Sequence, residues 1–115
     1  MPFDPYLGER ISGSLKLHKV EFEAKKMMGG LVFMVQGKMA CGIHIDKKLG
    51  HSLLMARIGE KAYAEEIKKQ HCLPMDFTGR PMKGYLFVMP EGFDLDDDLD
   101  YWISKVLEFN RSLVA

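Results

Sequence analysis

Leu31-Val32-Phe33-Met34-Val35-Gln36-Gly37-Lys38-Met39-Ala40-Cys41-Gly42-Ile43-His44-Ile45 consists of two apolar runs joined by a tight connection. Glycine in the second connecting position suits a turn that needs positive φ, so the stretch predicts an antiparallel hairpin. In an unbroken ladder Val35 faces Lys38, Met34 faces Met39, Phe33 faces Ala40, Val32 faces Cys41 and Leu31 faces Gly42. Alternation then places Val32, Met34, Met39, Cys41 and Ile43 on one side. The other side carries Leu31, Phe33 and Val35 beside Lys38, Ala40, Gly42 and His44. Large apolar groups point both ways, unlike an antiparallel sheet with one wet face.

The same two-faced character recurs outward from the hairpin. Ser52 to Ile58 reads as a strand with Leu53 and Met55 against Leu54, Ala56 and Ile58. Met82 to Met89 reads as another, with Leu86 and Val88 against Tyr85 and Phe87. Val20-Glu21-Phe22-Glu23-Ala24 alternates apolar and acidic, the pattern of a half-exposed strand. Helices are expected near 4–16, after the Asp4-Pro5 cap, and over Glu60 to Gln70, with Ala62, Tyr63 and Ile67 inward and Glu65, Glu66, Lys68 and Lys69 outward. A third is expected near 97–114, where Asp96, Asp97 and Asp98 suit a helix start and Leu99, Trp102, Ile103, Val106 and Leu113 form a stripe. This order predicts an α+β fold of two layers, a largely antiparallel sheet with helices packed mainly on one face.

With 115 residues, 47% of them hydrophobic, the chain has the length and composition of one globular domain spanning residues 1–115. Basic and acidic residues balance at 16 each. The balance is uneven along the chain: residues 1–90 hold 14 Lys/Arg against 9 Asp/Glu, and residues 91–115 hold 2 against 7. A neutral total argues against a generic nucleic-acid binder, which needs a basic footprint. No apolar run exceeds Leu31–Val35 or Tyr85–Met89 in length, so no membrane span is expected. The opening residues lack the basic and apolar regions of a secretory signal, and a cytoplasmic location is expected. Two cysteines in that setting are expected to be free thiols. Nine methionines suit both core filling and adaptable contact surfaces.

Few residues assemble into a chemical motif. Cys41 and His44 stand three apart on a strand, so their side chains leave opposite faces and no zinc site is expected. Ser12, Ser14, Ser52, Ser104 and Ser112 lie in no nucleophile motif, and Cys41 sits on an apolar strand face. The acidic run from Asp94 to Asp100 lacks EF-hand spacing, and Met28-Gly29-Gly30 lacks the Lys-Ser/Thr of a phosphate loop. No cofactor is implied. The richest polar cluster is Asp76, Thr78, Arg80 and Lys83, in which Arg80 and Lys83 suit an anion. Its structural reading is a turn at Thr78-Gly79-Arg80-Pro81, with Asp76 tying down Arg57 or Arg80. Arg57, on the face of Leu53 and Met55, is expected to be partly buried and paired with Asp76.

Two stretches together resemble the TfoX/Sxy N-terminal domain family. Lys25-Lys26-Met27-Met28-Gly29-Gly30-Leu31-Val32-Phe33-Met34, running through Gly37 to Gly42, resembles its first signature, with Met28 where the family usually shows Phe. Met75-Asp76-Phe77-Thr78-Gly79-Arg80-Pro81-Met82-Lys83-Gly84 resembles the second, and Leu54 to Gly59 fits the strand between them. The similarity spans roughly residues 19–112. It implies a secretion-chaperone-like α+β fold, a bacterial cytoplasmic setting and no known catalysis. The family's namesake regulates competence genes together with the cyclic-AMP receptor protein and carries a further helical domain, which is not expected after Ala115.

The resulting expectation is a non-enzymatic regulatory or partner-binding domain without catalytic residues, cofactor or metal. Its partner is another protein or a second copy, with Leu31, Phe33 and Val35 as the candidate interface. A direct nucleic-acid binder using Lys25, Lys26, Arg80 and Lys83 is the first alternative. A small-ligand binder or enzyme near Arg57, Asp76 and Arg80 is the second.

Overall fold

A computed structural model describes residues 5–27, 30–46, 51–74 and 84–114. Its elements are α1 (Pro5–Leu17), β1 (Glu23–Met27), β2 (Gly30–Val35), β3 (Lys38–Asp46), β4 (His51–Arg57), α2 (Gly59–Glu66), β5 (Cys72–Pro74), β6 (Tyr85–Val88) and α3 (Asp96–Val114), with a 3₁₀ turn at Pro90–Gly92. All strand pairings are antiparallel, in the order β1-β2-β3-β4-β6-β5. The α+β class is therefore as the patterning indicates. β5, too short to show periodicity, and the 3₁₀ turn were not foreseen.

The hairpin forms, but its register departs from the simple ladder. Gln36 and Gly37 both have positive φ, 55° and 74°, the conformation of a tight turn whose twist matches its strands. Val35↔Lys38 and Met34↔Met39 pair as expected, and then Phe33 pairs with Cys41. Ala40 is the extra residue of a β-bulge, so two residues on β3 oppose one on β2. The bulge moves Cys41 and Ile43 to the side of Leu31, Phe33 and Val35, correcting the expected faces. It also brings β2 close to Gly42, where a Cβ would stand 2.3 Å from the Leu31 carbonyl oxygen. Only glycine fits that crossing without a backbone shift.

Helices cover this side. Leu7, Ile11 and Leu15 of α1, spaced one helical turn apart, pack with Leu99, Trp102, Ile103, Val106 and Leu107 of α3 over Phe33, Val35, Cys41, Leu54, Leu86 and Val88. Two buried polar groups anchor α3. Trp102 Nε1 donates to the Gly92 carbonyl at 3.0 Å, and Asn110 Nδ2 donates to the Val35 carbonyl at 3.0 Å. α1 stops where Lys19 turns to φ 58°, with Val20 N–H bonded to the Leu15 carbonyl and Lys19 N–H to that of Lys16. That pattern is a Schellman closure, and it delays β1 by three residues from the expected start at Val20.

The opposite face is not left open. Val32, Leu53, Met55 and Phe87 are buried there, rimmed by half-buried Met34, Met39, Leu73, Tyr85 and Met89. Flexible thioethers fill the irregular border of this smaller core. The exposed large apolar residues, Tyr6, Leu17, Leu95 and Tyr101, lie on or beside helices α1 and α3 rather than on the sheet. The bare sheet face on which dimerisation was expected is thus absent among the described residues.

Candidate functional site

A groove of about 760 Å³ runs between α1 and the first turns of α3. Burial of Leu7, Ile11 and Leu15 turns the flank of Arg10, Gly13 and Leu17 toward α3. Arg10 Nη2 donates to the carbonyls of Phe93 (2.9 Å) and Asp94 (3.1 Å) and lies 3.3 Å from Asp96 Oδ1. One turn later Ser14 Oγ donates to Asp100 Oδ1 at 3.2 Å, and His18 Nε2 lies 2.8 Å from the same oxygen. A nucleophile relay needs the imidazole against the hydroxyl. Here the carboxylate stands between them, so the trio clamps two helices. Leu17 is 83% exposed and Leu95 65% exposed. Asp96, Asp97 and Asp100 make the α3 side of the groove acidic.

A second polar cluster joins α2 to α3. Expected outward, Glu66 is instead buried, because α2 ends after two turns and the chain bends through residues 67–71 into β5. Its Oε1 accepts a hydrogen bond from the Tyr101 hydroxyl, and its Oε2 lies 2.5 Å from Lys69 Nζ. Lys69 also stands over the rings of Tyr101 (4.8 Å) and Trp102 (5.6 Å). Burial alone would raise the Glu66 carboxyl, but the hydrogen bonds from Lys69 and Tyr101 outweigh it and hold the group below its ordinary range. Lys69 is held above its ordinary range, chiefly by the bond to Glu66. Both groups are therefore charged at neutral pH, and the arrangement is an ion pair that fixes α2.

The residues singled out from sequence are dispersed or lie outside the described segments. Arg57 is half-buried as expected, yet its described partners are rings rather than a carboxylate. Its guanidinium carbon is 5.2 Å from the Tyr85 centroid and 5.5 Å from that of Phe109, and Nη1 donates to the Met39 carbonyl at 3.4 Å. Asp76, Arg80 and Lys83 lie outside the described residues. Lys25 and Lys26 are exposed on β1, with Lys25 Nζ 4.0 Å from Glu23. The expected interface is corrected: Phe33 and Val35 are buried under the chain's own helices, and Leu31 packs against the same core. Cys41 lies in that core while the His44 ring stacks on Phe87 across the sheet, 5.0 Å between centroids. Burial pushes the Cys41 thiol up to about 12 and the Cys72 thiol up to about 11. No group of three metal-ligating side chains occurs among the described residues.

Sequence reasoning missed both polar clusters. The spacing of Glu66 and Lys69 hints at a helical ion pair. Nothing local ties either residue to Tyr101, or Ser14 and His18 to Asp100.

Among known proteins, neither the curated sequences nor the solved structures provide a match to this chain. The TfoX N-terminal domain family matches residues 18–110, a span that takes in the bulged hairpin, the Glu66–Lys69 ion pair and most of α3. No helix of the described residues is long and apolar enough to cross a membrane. With the greater part of its length matched, this chain belongs to the TfoX N-terminal domain family.

Proposed function

We propose that this chain is a non-enzymatic, cytoplasmic regulatory domain that works by binding another protein through the groove between α1 and α3. The observation that carries the reading is the placement of Leu17, 83% exposed, in that groove, with Leu95 exposed beside it. Exposed leucines cost little singly, but two beside a groove offer anchors for apolar side chains of a partner. From Arg10 to Leu17 the helix rises about 10 Å, enough for two turns of a docked helix. The carboxylates of Asp96, Asp97 and Asp100 favour a partner segment bearing Lys or Arg around its apolar residues. Arg10 and His18, the basic side chains lining the groove, are already engaged with Asp96 and Asp100.

The test is affinity capture from native cytosol on the immobilised chain, alongside a Leu17→Glu variant whose exposed position leaves the fold intact. Wild type is expected to retain a stoichiometric protein, and Leu17→Glu to lose it by at least about tenfold, as for an interface anchor. Equal retention by both proteins overturns the assignment of the groove. A metabolite seen by native mass spectrometry, with no protein partner, overturns the protein-binding reading itself.

A further inference from the structure

We propose that two copies of this chain pair edge to edge through β1, antiparallel, to form one sheet continuous across both.

The two edges of the sheet differ in kind. At one end β5 has three residues and finishes in Pro74, which has no N–H to give, so that edge is blunted. At the other end β1 runs for five residues without proline and pairs with β2 over five successive positions without a register shift. Glu23, Ala24, Lys25 and Lys26 are all exposed, so no described element covers the outer edge of this strand. A regular, uncovered edge of this sort is a template for another strand.

Charge selects the occupant. The acidic residues Glu21 and Glu23 precede Ala24, and the basic residues Lys25 and Lys26 follow it. Antiparallel pairing of β1 with itself reverses this order. Centred on Ala24, each Glu23 faces Lys25 of the second copy, and the two pairs are related by the twofold axis. Parallel self-pairing would oppose like charges, and an uncharged strand would offer Glu23 and Lys25 no opposite charge across the seam. The charges that blunt this edge toward other strands thus suit it to a second copy of itself.

Room exists on the helix side of the seam. α1 passes over this end of the sheet with Gly8 and Ser12, leaving a groove of about 520 Å³ beside Ala24 and floored by Leu31 and Phe33. By strand alternation Lys26 lies on that same side, since it pairs with Leu31. In the register centred on Ala24, Lys26 of the second copy faces Phe22, beside the Ala24 end of the groove, whose rim carries Glu9 and Lys16.

A seam of about five residues predicts a weak dimer, populated in the micromolar range and weakened by salt. Light scattering behind size exclusion is expected to rise from 13.1 kDa toward twice that mass with concentration. Two charge-swapped proteins supply the control: Glu21→Lys/Glu23→Lys, and Lys25→Glu/Lys26→Glu. All four positions are exposed, and circular dichroism verifies that each variant folds. Each alone is expected to dimerise about tenfold or more weaker than wild type, while the two mixed restore a heterodimer. A wild-type mass of 13.1 kDa at every concentration overturns the proposal. So does a dimer that both variants form as well as wild type, or a mixture that fails to restore association.

Discussion

Replacing Glu66 by Gln keeps the side-chain shape and removes one charge from the junction of α2 and α3. The Glu66 side chain is 6% exposed and that of Lys69 is 43% exposed, so the pair is half-buried and water screens its lysine end. A hydrogen bond to a charged group contributes about 1.5–3 kcal/mol, against about 0.5–1.5 for a neutral one. Two bonds lose that difference in Glu66→Gln. After discounting the exposed lysine, the expected cost is about 1–2 kcal/mol. For a chain of this length the melting temperature falls by roughly 4–10 °C.

The pH dependence sharpens this test. The Glu66 carboxyl is held below its ordinary 4.5, so its stabilisation is present above that value and lost as pH falls through the lower folded value. The Lys69 ammonium is held above its ordinary 10.5, so its share is present below that value and lost as pH rises through the higher folded value. The gap between wild type and Glu66→Gln is therefore widest and flat between these limits and closes on both sides. Thermal melts followed by circular dichroism across that range measure it. A gap of zero at neutral pH, or one that persists unchanged into strong acid, would refute the ion-pair reasoning.

Two further outcomes follow from burial. Phe33 is fully buried beneath the helices, so Phe33→Ala is expected to cost about 3–5 kcal/mol and lower the melting temperature by roughly 10–25 °C; an unchanged melt would return this residue to the surface. Cys41 and Cys72, with thiols pushed up to about 12 and about 11, are expected to resist an aromatic disulfide reagent at pH 8 in the folded protein and to react together on unfolding. Reaction of Cys41 on mixing with folded protein would contradict its burial.

What the sequence by itself determined is the set of periodic elements. The hairpin turn at Gln36-Gly37, the two-faced strands around Leu53 and Leu86, and the α3 stripe through Trp102 were legible because alternation and helical spacing are local properties of the chain. The resemblance of residues 25–42 and 75–84 to the family was legible for the same reason, as contiguous patterns. Tertiary structure alone decided the rest. The bulge at Ala40 carries no residue signature, because it is set by the match of β3 to β2 and its neighbours, and it moved Cys41 and Ile43 across the sheet. The burial of Phe33 and Val35 depended on which face α1 and α3 cover, a choice that apolar groups on both sides of the hairpin and of the strands around Leu53 and Leu86 left open. The clamp at Asp100 and the hydrogen bond from Tyr101 to Glu66 join residues more than 30 positions apart. Their chemistry arises only when packing brings α1, α2 and α3 together, because a carboxylate gains its partners and sheds its water in the folded state, not in the order of residues along the chain.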